Sequence, residues 1–234
     1  MASPKVFTIQ RGLSTAQLLH ALHDDNRVII LDRADKAQCK APQSFVDSER
    51  VTFIQCDVTS WDSLRSAFAL GIERFGELDN VYVNAGINEY GNQLFQDDLD
   101  QNGKLKKPDS RVLSIDLDAA ISTIKLAIHH MRHRRDGRRG GNIVMTASLA
   151  GYLGSAGAPL YSAAKHGLIG LLRALKNDTA KLGIAISLVA PGITLTDLVA
   201  GRGEENHCRN GRCVCVKQEF PSTTRLKSLL LWSG

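Results

Sequence analysis

The sequence lacks the features that mark membrane or secreted proteins. No window holds the roughly eighteen uninterrupted apolar residues that a membrane-spanning helix needs. The first residues show no basic stretch followed by an apolar one, as a secretory signal would. The five cysteines are not spaced as a disulfide framework. Because free thiols are typical of a reducing compartment, the sequence predicts a cytoplasmic protein without a membrane segment.

A recognisable metal-binding motif is also missing. His207, Cys208, Cys213 and Cys215 lie close together in the sequence. Their spacing differs from the ligand pairs that zinc sites commonly use. We therefore predict no bound metal.

The formal net charge of +5 draws heavily on one cluster of arginines, at Arg132, Arg134, Arg135, Arg138 and Arg139. Such a run could contact nucleic acid or an acidic membrane. No nucleic-acid-binding motif accompanies it. The prediction is therefore a solvated loop between a helix and a strand, with neither nucleic acid nor membrane as a partner.

Short β-rich segments alternate with segments of helical periodicity along residues 5–192. This alternation is typical of an α/β fold with a parallel sheet, and 234 residues suit one such domain. We predict a single-domain, Rossmann-type, doubly wound parallel sheet with helices on both faces. The predicted strands are 5–9, 27–33, 51–56, 78–83, 143–145 and 185–189, and the main helices are 13–22, one from about 60, 111–132 and 160–181.

The most informative stretch follows the fifth of these strands. Ser148 lies at the strand's carboxyl end, where open α/β sheets bind their ligands. Tyr161 and Lys165 follow on a helix and lie one turn apart on one face. A lysine ammonium beside a phenol favours the phenolate, and the serine hydroxyl can hydrogen-bond a substrate oxygen. The three together predict a proton-relay site for carbonyl and alcohol chemistry.

Each of these residues also has an ordinary structural interpretation. A tyrosine and a lysine four residues apart on a helix are common as packing plus a solvated charge, and Ser148 alone suits a helix cap or a turn. Their joint order and spacing resemble the short-chain dehydrogenase/reductase family, in particular its NAD-dependent alcohol and 15-hydroxyprostaglandin dehydrogenase-like members.

The resemblance implies a role for each catalytic residue. Tyr161 exchanges the hydroxyl proton of a secondary alcohol or ketone, Lys165 supports it and holds the cofactor ribose, and Ser148 orients the substrate oxygen. Asp116 stands where the family has an asparagine on a kinked helix. If this aspartate lies near Lys165 it pairs with the ammonium, so we expect activity tuned to higher pH than in relatives with asparagine.

The resemblance also implies a set of cofactor contacts. The Asn-Ala-Gly motif at the end of the fourth strand packs against the cofactor side of the sheet, and small residues allow that close approach. An Asp-Val pair lies against the adenine, although the aspartate could instead cap the next helix. The Pro-Gly segment after the sixth strand meets the nicotinamide carboxamide. The residues are Asn84, Ala85, Gly86, Asp57, Val58, Pro191, Ile193 and Thr196, with Tyr161 and Lys165.

Cofactor preference depends on the acid that ends the second strand. Asp32 stands about twenty residues after the first loop, where a carboxylate accepts hydrogen bonds from ribose hydroxyls and repels a 2′-phosphate. This favours NAD over NADP. The alternatives are that Asp32 caps a turn and that Arg33 accommodates the phosphate.

The glycine-rich phosphate loop is the largest departure from the family. Relatives carry Thr-Gly-x-x-x-Gly-x-Gly between the first strand and helix, whereas only Gly12 remains here. Either the loop is shortened and holds phosphate through fewer amides, or active relatives carry a different N-terminal segment. Arg11 could partly compensate as a cation.

Two further expectations concern the rest of the chain. Residues 88–109 form a polar surface excursion near the mouth of the site. The resemblance ends near Ala200, which predicts a dinucleotide-binding domain over 1–200 and an irregular tail over 201–234. The function is then an NAD-dependent oxidoreductase, or alternatively a non-catalytic protein of the same fold with impaired cofactor binding. By analogy, the helices at 111–132 and 160–181 assemble a homodimer or homotetramer.

Overall fold

A computed structural model shows six parallel strands in one sheet, in the order β3-β2-β1-β4-β5-β6. It describes residues 5–10, 12–39, 41–91, 93–134, 137 and 140–192. From β1 the chain adds β2 and β3 on one side of the sheet and then β4, β5 and β6 on the other side, as in a doubly wound sheet. The predicted fold class is confirmed. The strands are β1 Val6–Gln10, β2 Arg27–Asp32, β3 Val51–Gln55, β4 Asn80–Val83, β5 Gly141–Thr146 and β6 Ile184–Val189.

Helices cover both faces of this sheet. Helices α3, α5 and α7 pack over one hydrophobic core, and α1 and α2 pack over a second, smaller one. Because every strand is parallel, all six carboxyl ends lie at the same edge. The helices are α1 Leu13–Leu22, α2 Gln43–Val46, α3 Trp61–Phe75, α4 Arg111–Leu113, α5 Ala119–Arg132, α6 Ala150–Leu153 and α7 Pro159–Lys181, with a 3₁₀ turn at Lys36–Gln38.

Helix α1 has the predicted bounds, and it buries an alanine and not the leucines Leu18 and Leu22. Leu18 and Leu22 are exposed, whereas Ala16 is fully buried. Leu13 and Leu19 pack against the second core at its edge. The small residue Ala16 faces the sheet. The leucines of α1 therefore lie at the sides of the helix and not at the centre of its buried face.

The predicted helix 111–132 is interrupted by a π-helical turn at Ser114–Asp118, between α4 and α5. The π-helical turn contains an extra residue, so the side chains of α5 point in directions rotated from those of a continuous α-helix. Ile121, which continues the apolar spacing of the preceding turns, is 43% exposed, while Ala120 and Ile124 are buried. The kink that family resemblance implied is thus present, and it carries Asp116.

The arginine cluster is only partly a solvated loop. Arg134 is buried, and its guanidinium pairs with Asp79 at 2.9 Å and donates to the carbonyl oxygen of Leu78. The other carboxylate oxygen of Asp79 accepts from the backbone N–H of Val6. The prediction of a solvated residue is wrong for Arg134, because Asp79 fixes it where β1 and β4 begin. Arg135, Arg138 and Arg139 lie outside the described residues.

The connection from β4 to α4 is the predicted surface excursion. Its described residues are mostly exposed, including Phe95, and its only regular pairing is an isolated antiparallel bridge between Leu99 and Leu105. Glu89 is the exception and is buried. The excursion therefore has one residue fixed in the interior, close to the site.

Within the described ranges, no helix has the length and apolar character to cross a membrane. The same residues contain no group of three or more side chains placed to hold a metal ion. The predicted tail at 201–234, with its cysteines, lies outside them.

Candidate active site

Lys165 is held between two oxygen atoms at the carboxyl end of β5. Its Nζ lies 3.1 Å from Asp116 Oδ2 and donates to the carbonyl oxygen of Thr146 at 3.1 Å. The lysine side chain is 6% exposed and that of the aspartate 1%. A buried ammonium needs such partners, because an unpaired charge in the interior is costly. The predicted pairing of Asp116 with Lys165 is therefore present in the structure.

Asp116 is itself oriented from the opposite side. Its Oδ1 accepts a hydrogen bond from the backbone N–H of Ile87 at 2.8 Å. The segment before Ile87 passes so close that a Cβ added at Gly86 would lie 2.9 Å from Asp116 Oδ2. The glycine of the Asn-Ala-Gly motif thus allows close approach to the aspartate, and not only to a cofactor.

Tyr161 is the third residue of α7, one turn before Lys165. The lysine Nζ lies 5.4 Å from the centroid of the tyrosine ring. The phenol is half-buried, so it is open on one side while the ammonium beneath it is enclosed. The two residues therefore share one helix face, as their spacing predicts.

Ser148 lies two residues beyond the end of β5 and is half-buried. Its Oγ accepts from the backbone N–H of Ala150 at 3.2 Å, and its carbonyl oxygen accepts from Gly151. Ser148 thus forms a turn just before α6, whose N-cap is Leu149 without a side-chain cap, so of the two ordinary interpretations the turn holds. Pro191 approaches the same turn, since its carbonyl oxygen accepts from the N–H of Leu149 at 3.0 Å.

The Asn-Ala-Gly motif directly follows β4 and is tied to β5. Thr146 Oγ1 donates to Asn84 Oδ1 at 2.7 Å, while the Thr146 carbonyl holds Lys165. Thr146 was not singled out from the sequence, because a threonine ending a strand carries no distinctive signal. It joins the predicted cofactor motif to the predicted catalytic lysine.

A cleft of about 740 Å³ opens at the carboxyl ends of β2, β3 and β4. Its size suits a small-molecule site. Four predicted cofactor residues line it: Asp32, Asp57, Val58 and Ala85. The structure thus brings together Asp32, Asp57 and Val58, which were assigned to the adenosine half of a dinucleotide, with Ala85 of the Asn-Ala-Gly motif.

The opposite wall of the cleft was missed by sequence reasoning. It includes Ser114, Asp118 and Ser122, which recur every four residues along the kinked helix. That spacing is a readable polar stripe. Cys56 also lines the cleft, and burial raises the pKa of its thiol, which favours the protonated form.

Asp32 and Asp57, two of the three acids in the lining, also form turns. Hydrogen bonds from Thr59, and more weakly the charge of Arg33, lower the pKa of Asp57, so its carboxylate is an acceptor at neutral pH. Asp57 precedes the true cap of α3, which is Ser60, accepting from the N–H of Ser63. Asp32 Oδ1 accepts from Ala34 N–H at 3.0 Å. The turn interpretation of Asp32 therefore holds alongside its place in the cleft.

The phosphate end of the site is short. Only residues 11 and 12 separate β1 from α1, and Gly12 stands at the helix N-terminus. A Cβ there would lie 2.5 Å from Ile9 Cγ2, so a glycine is required by packing. A helix N-terminus suits phosphate, and the residues present fit a dinucleotide, with fewer loop amides than relatives offer. Arg11, Ile193 and Thr196 lie outside the described residues.

A nucleotide-binding Rossmann fold with a Tyr-x-x-x-Lys pair at its rim defines a class of oxidoreductases. Comparison with known families agrees with this geometry. The short chain dehydrogenase family matches residues 6–207. The chain belongs to the short-chain dehydrogenase/reductase family.

The similar proteins fall into two groups. A short-chain dehydrogenase/reductase of Penicillium roqueforti is 38% identical over 161 residues, covering 69% of this chain and 46% of its own. The NAD(+) 15-hydroxyprostaglandin dehydrogenase of Rattus norvegicus is 30% identical over 232 residues, covering 97% and 76%. The chain thus spans about half the length of the Penicillium relative.

Solved structures agree on the fold. Levodione reductase superposes with a TM-score of 0.69 at 25% identity, covering 85% of this chain and 75% of that one. ElxO with NADP bound gives 0.66 at 27% identity, covering 82% and 75%. A 3-ketoacyl-(acyl-carrier-protein) reductase from Brucella melitensis, complexed with NADH, gives 0.68 at 19% identity, covering 83% and 78%.

Proposed function

We propose that the protein transfers a hydride between NAD(H) and a secondary alcohol or ketone, with Tyr161 as general acid and base. The observation that carries this proposal is the buried Lys165 ammonium beneath the open Tyr161 ring. Packing alone does not require a buried ammonium with two oxygen partners beside a half-exposed phenol. A proton-relay site requires this arrangement.

Each residue of the site has a chemical role in this proposal. NAD(H), when bound, supplies or accepts the hydride. Tyr161 gives a proton to the substrate oxygen, or removes it in the other direction, and Ser148 orients that oxygen by a hydrogen bond. Lys165 stabilises the phenolate electrostatically and holds a ribose hydroxyl. Asp116 and the Thr146 carbonyl keep the ammonium in place and offset part of its charge.

The cleft supports a preference for NAD over NADP. Asp32 ends β2 on its wall and offers a carboxylate where the adenosine ribose would lie. Asp57 and Asp118 add two further acids to the lining, against Arg33 and Arg111. An added 2′-phosphate would meet more negative than positive groups. The name of the rat relative, an NAD(+) dehydrogenase, agrees with this preference.

A fluorescence titration tests the proposal. The purified chain is titrated with NADH and, in parallel, with NADPH. Saturable binding of NADH in the micromolar range, with NADPH weaker, supports the oxidoreductase. Absence of binding at millimolar NADH contradicts it.

The second candidate is a non-catalytic protein of the same fold. The observation that favours it is the two-residue connection between β1 and α1, which leaves few loop amides for a pyrophosphate. The same titration separates the two candidates, because only this one predicts no binding. Its catalytic residues would then be structural.

We also propose self-assembly through the outer faces of α5 and α7. Ile121, an exposed apolar residue on α5, is the kind of side chain that an interface covers. Light scattering at micromolar concentration is expected to give the mass of a dimer or tetramer. A monomer mass would reject this assembly, and the substrate site would be unaffected.

A further inference from the structure

Glu89 is a buried carboxylate in a connection whose other described residues are exposed or half-buried. It is 4% exposed, and its Oε2 accepts a hydrogen bond at 2.9 Å from the backbone N–H of Tyr161, 72 residues later in the chain. In the part of the chain that the structure describes, Oε1 of the same carboxylate is buried without a hydrogen-bond partner. Burying a polar group without hydrogen-bond partners costs free energy. A buried carboxylate with one backbone hydrogen bond therefore indicates a role that offsets this cost.

The first turn of α7 has no cap of its own. Ala158, the residue before the helix, has no side chain able to accept, and the turn contains no acidic residue. Pro159 has no N–H to satisfy, and the N–H of Ser162 is already bonded to the Ala158 carbonyl. Glu89 thus supplies the acceptor for the Tyr161 N–H from outside the helix. A negative charge at a helix N-terminus is also favourable.

The contact fixes the backbone of the proposed proton donor. One turn later, Lys165 is fixed by Asp116, which in turn accepts from the N–H of Ile87. Residues 87 and 89 therefore hold both members of the Tyr-x-x-x-Lys pair, one directly and one through Asp116. The connection that follows β4 thus fixes the helical turn that carries Tyr161 and Lys165.

We propose that Glu89 is a positioning residue, whose carboxylate holds Tyr161 at the height and angle that proton transfer needs. This inference rests on the proposed function, since it concerns the geometry of its proton donor. Small displacements of a reacting group greatly lower the rate of the chemical step. The effect should therefore fall on kcat rather than on cofactor binding.

Three variants separate positioning from bulk stability. Glu89→Gln keeps an oxygen acceptor of the same reach, Glu89→Asp withdraws it by one methylene, and Glu89→Ala removes it. We expect kcat to fall roughly tenfold or more in the Ala and Asp variants and to return to within about threefold of the parent in Gln. The KM for NADH should change less than about twofold in all three. Glu49→Gln, at an exposed glutamate, is the matched control.

Hydrogen exchange at the Tyr161 amide supplies a readout that needs no turnover. Loss of the acceptor should speed this exchange roughly tenfold in the Ala and Asp variants, with Gln and the control near the parent. If Ala fails to fold, the Asp and Gln pair decides. Unchanged exchange, or faster exchange with unchanged kcat, overturns the inference. If the parent binds no NADH and turns nothing over, the proposed function fails, and exchange alone judges whether Glu89 anchors Tyr161.

Discussion

The two ends of the site differ in how completely the chain has built them. At β4, β5 and α7, Lys165 has two oxygen partners, Asp116 has a backbone donor and Tyr161 has Glu89. At β1 and α1, a two-residue connection with one glycine stands in place of the phosphate loop. The end that carries the proposed catalytic residues is thus fixed by several contacts, whereas the end proposed to hold phosphate has a short connection with few amides. Proton-transfer geometry and cofactor affinity can therefore be tested separately in this chain.

Removing the phenol should give the largest effect. In Tyr161→Phe, turnover is expected to fall roughly a hundredfold to ten-thousandfold, because the proposed general acid and base is lost. NADH affinity should stay near the parent value, since the ring and Lys165 remain. Steady-state kinetics beside a fluorescence titration measure both. Tyr152→Phe, at a half-exposed tyrosine on α6, is the control and should be silent. Equal turnover in the two variants would contradict the assignment.

Rebuilding the phosphate loop should give the next largest effect, and on affinity alone. Replacing Arg11 and Gly12 with a Thr-Gly-x-x-x-Gly-x-Gly segment adds amides that donate to phosphate. Hydrogen bonds to charged groups contribute about 1.5–3 kcal/mol each, so we expect NADH to bind at least tenfold more tightly. An insert of the same length with alanine at the glycine positions serves as control. Unchanged affinity would mean that the reduced loop is not what limits binding.

Changing the relay aspartate should give the smallest effect. In Asp116→Asn the Lys165 ammonium loses the carboxylate 3.1 Å away. The ammonium charge is then no longer offset by a carboxylate, so the rising limb of the pH–rate profile should move to lower pH. Thermal melts of parent and variant check that the loss of a buried ion pair has not unfolded the chain. Superimposable profiles would rule the idea out.

Much of the fold was predictable because its signals are local. The parallel sheet follows from apolar strands alternating with helical periods, and α1 begins and ends where the pattern predicts. The buried face of α1 was not predictable, because Ala16 rather than a leucine packs against the sheet. The rotation of α5 could not be predicted from apolar spacing either, because a π-helical turn does not change that spacing, and only the family resemblance implied a kink there.

The candidate site was predictable where residues act through fixed spacing. Tyr161 and Lys165 are one turn apart, and the pairing of Asp116 with Lys165 follows from family resemblance. Contacts between residues that are far apart in the sequence have no fixed spacing from which to predict them. Glu89 and Tyr161 are 72 residues apart, and the glutamate looks like any polar residue of a surface connection. Arg134 was misread for the same reason, because its partner lies 55 residues earlier.

The central claim is that a phenol and a hydroxyl converge on one substrate oxygen, and a crystal structure with NADH bound tests it most directly. The distances that matter run from Tyr161 Oη and Ser148 Oγ to a shared position above the nicotinamide. We expect both atoms within about 3 Å of that position. Side chains that point into different pockets would contradict the redox assignment.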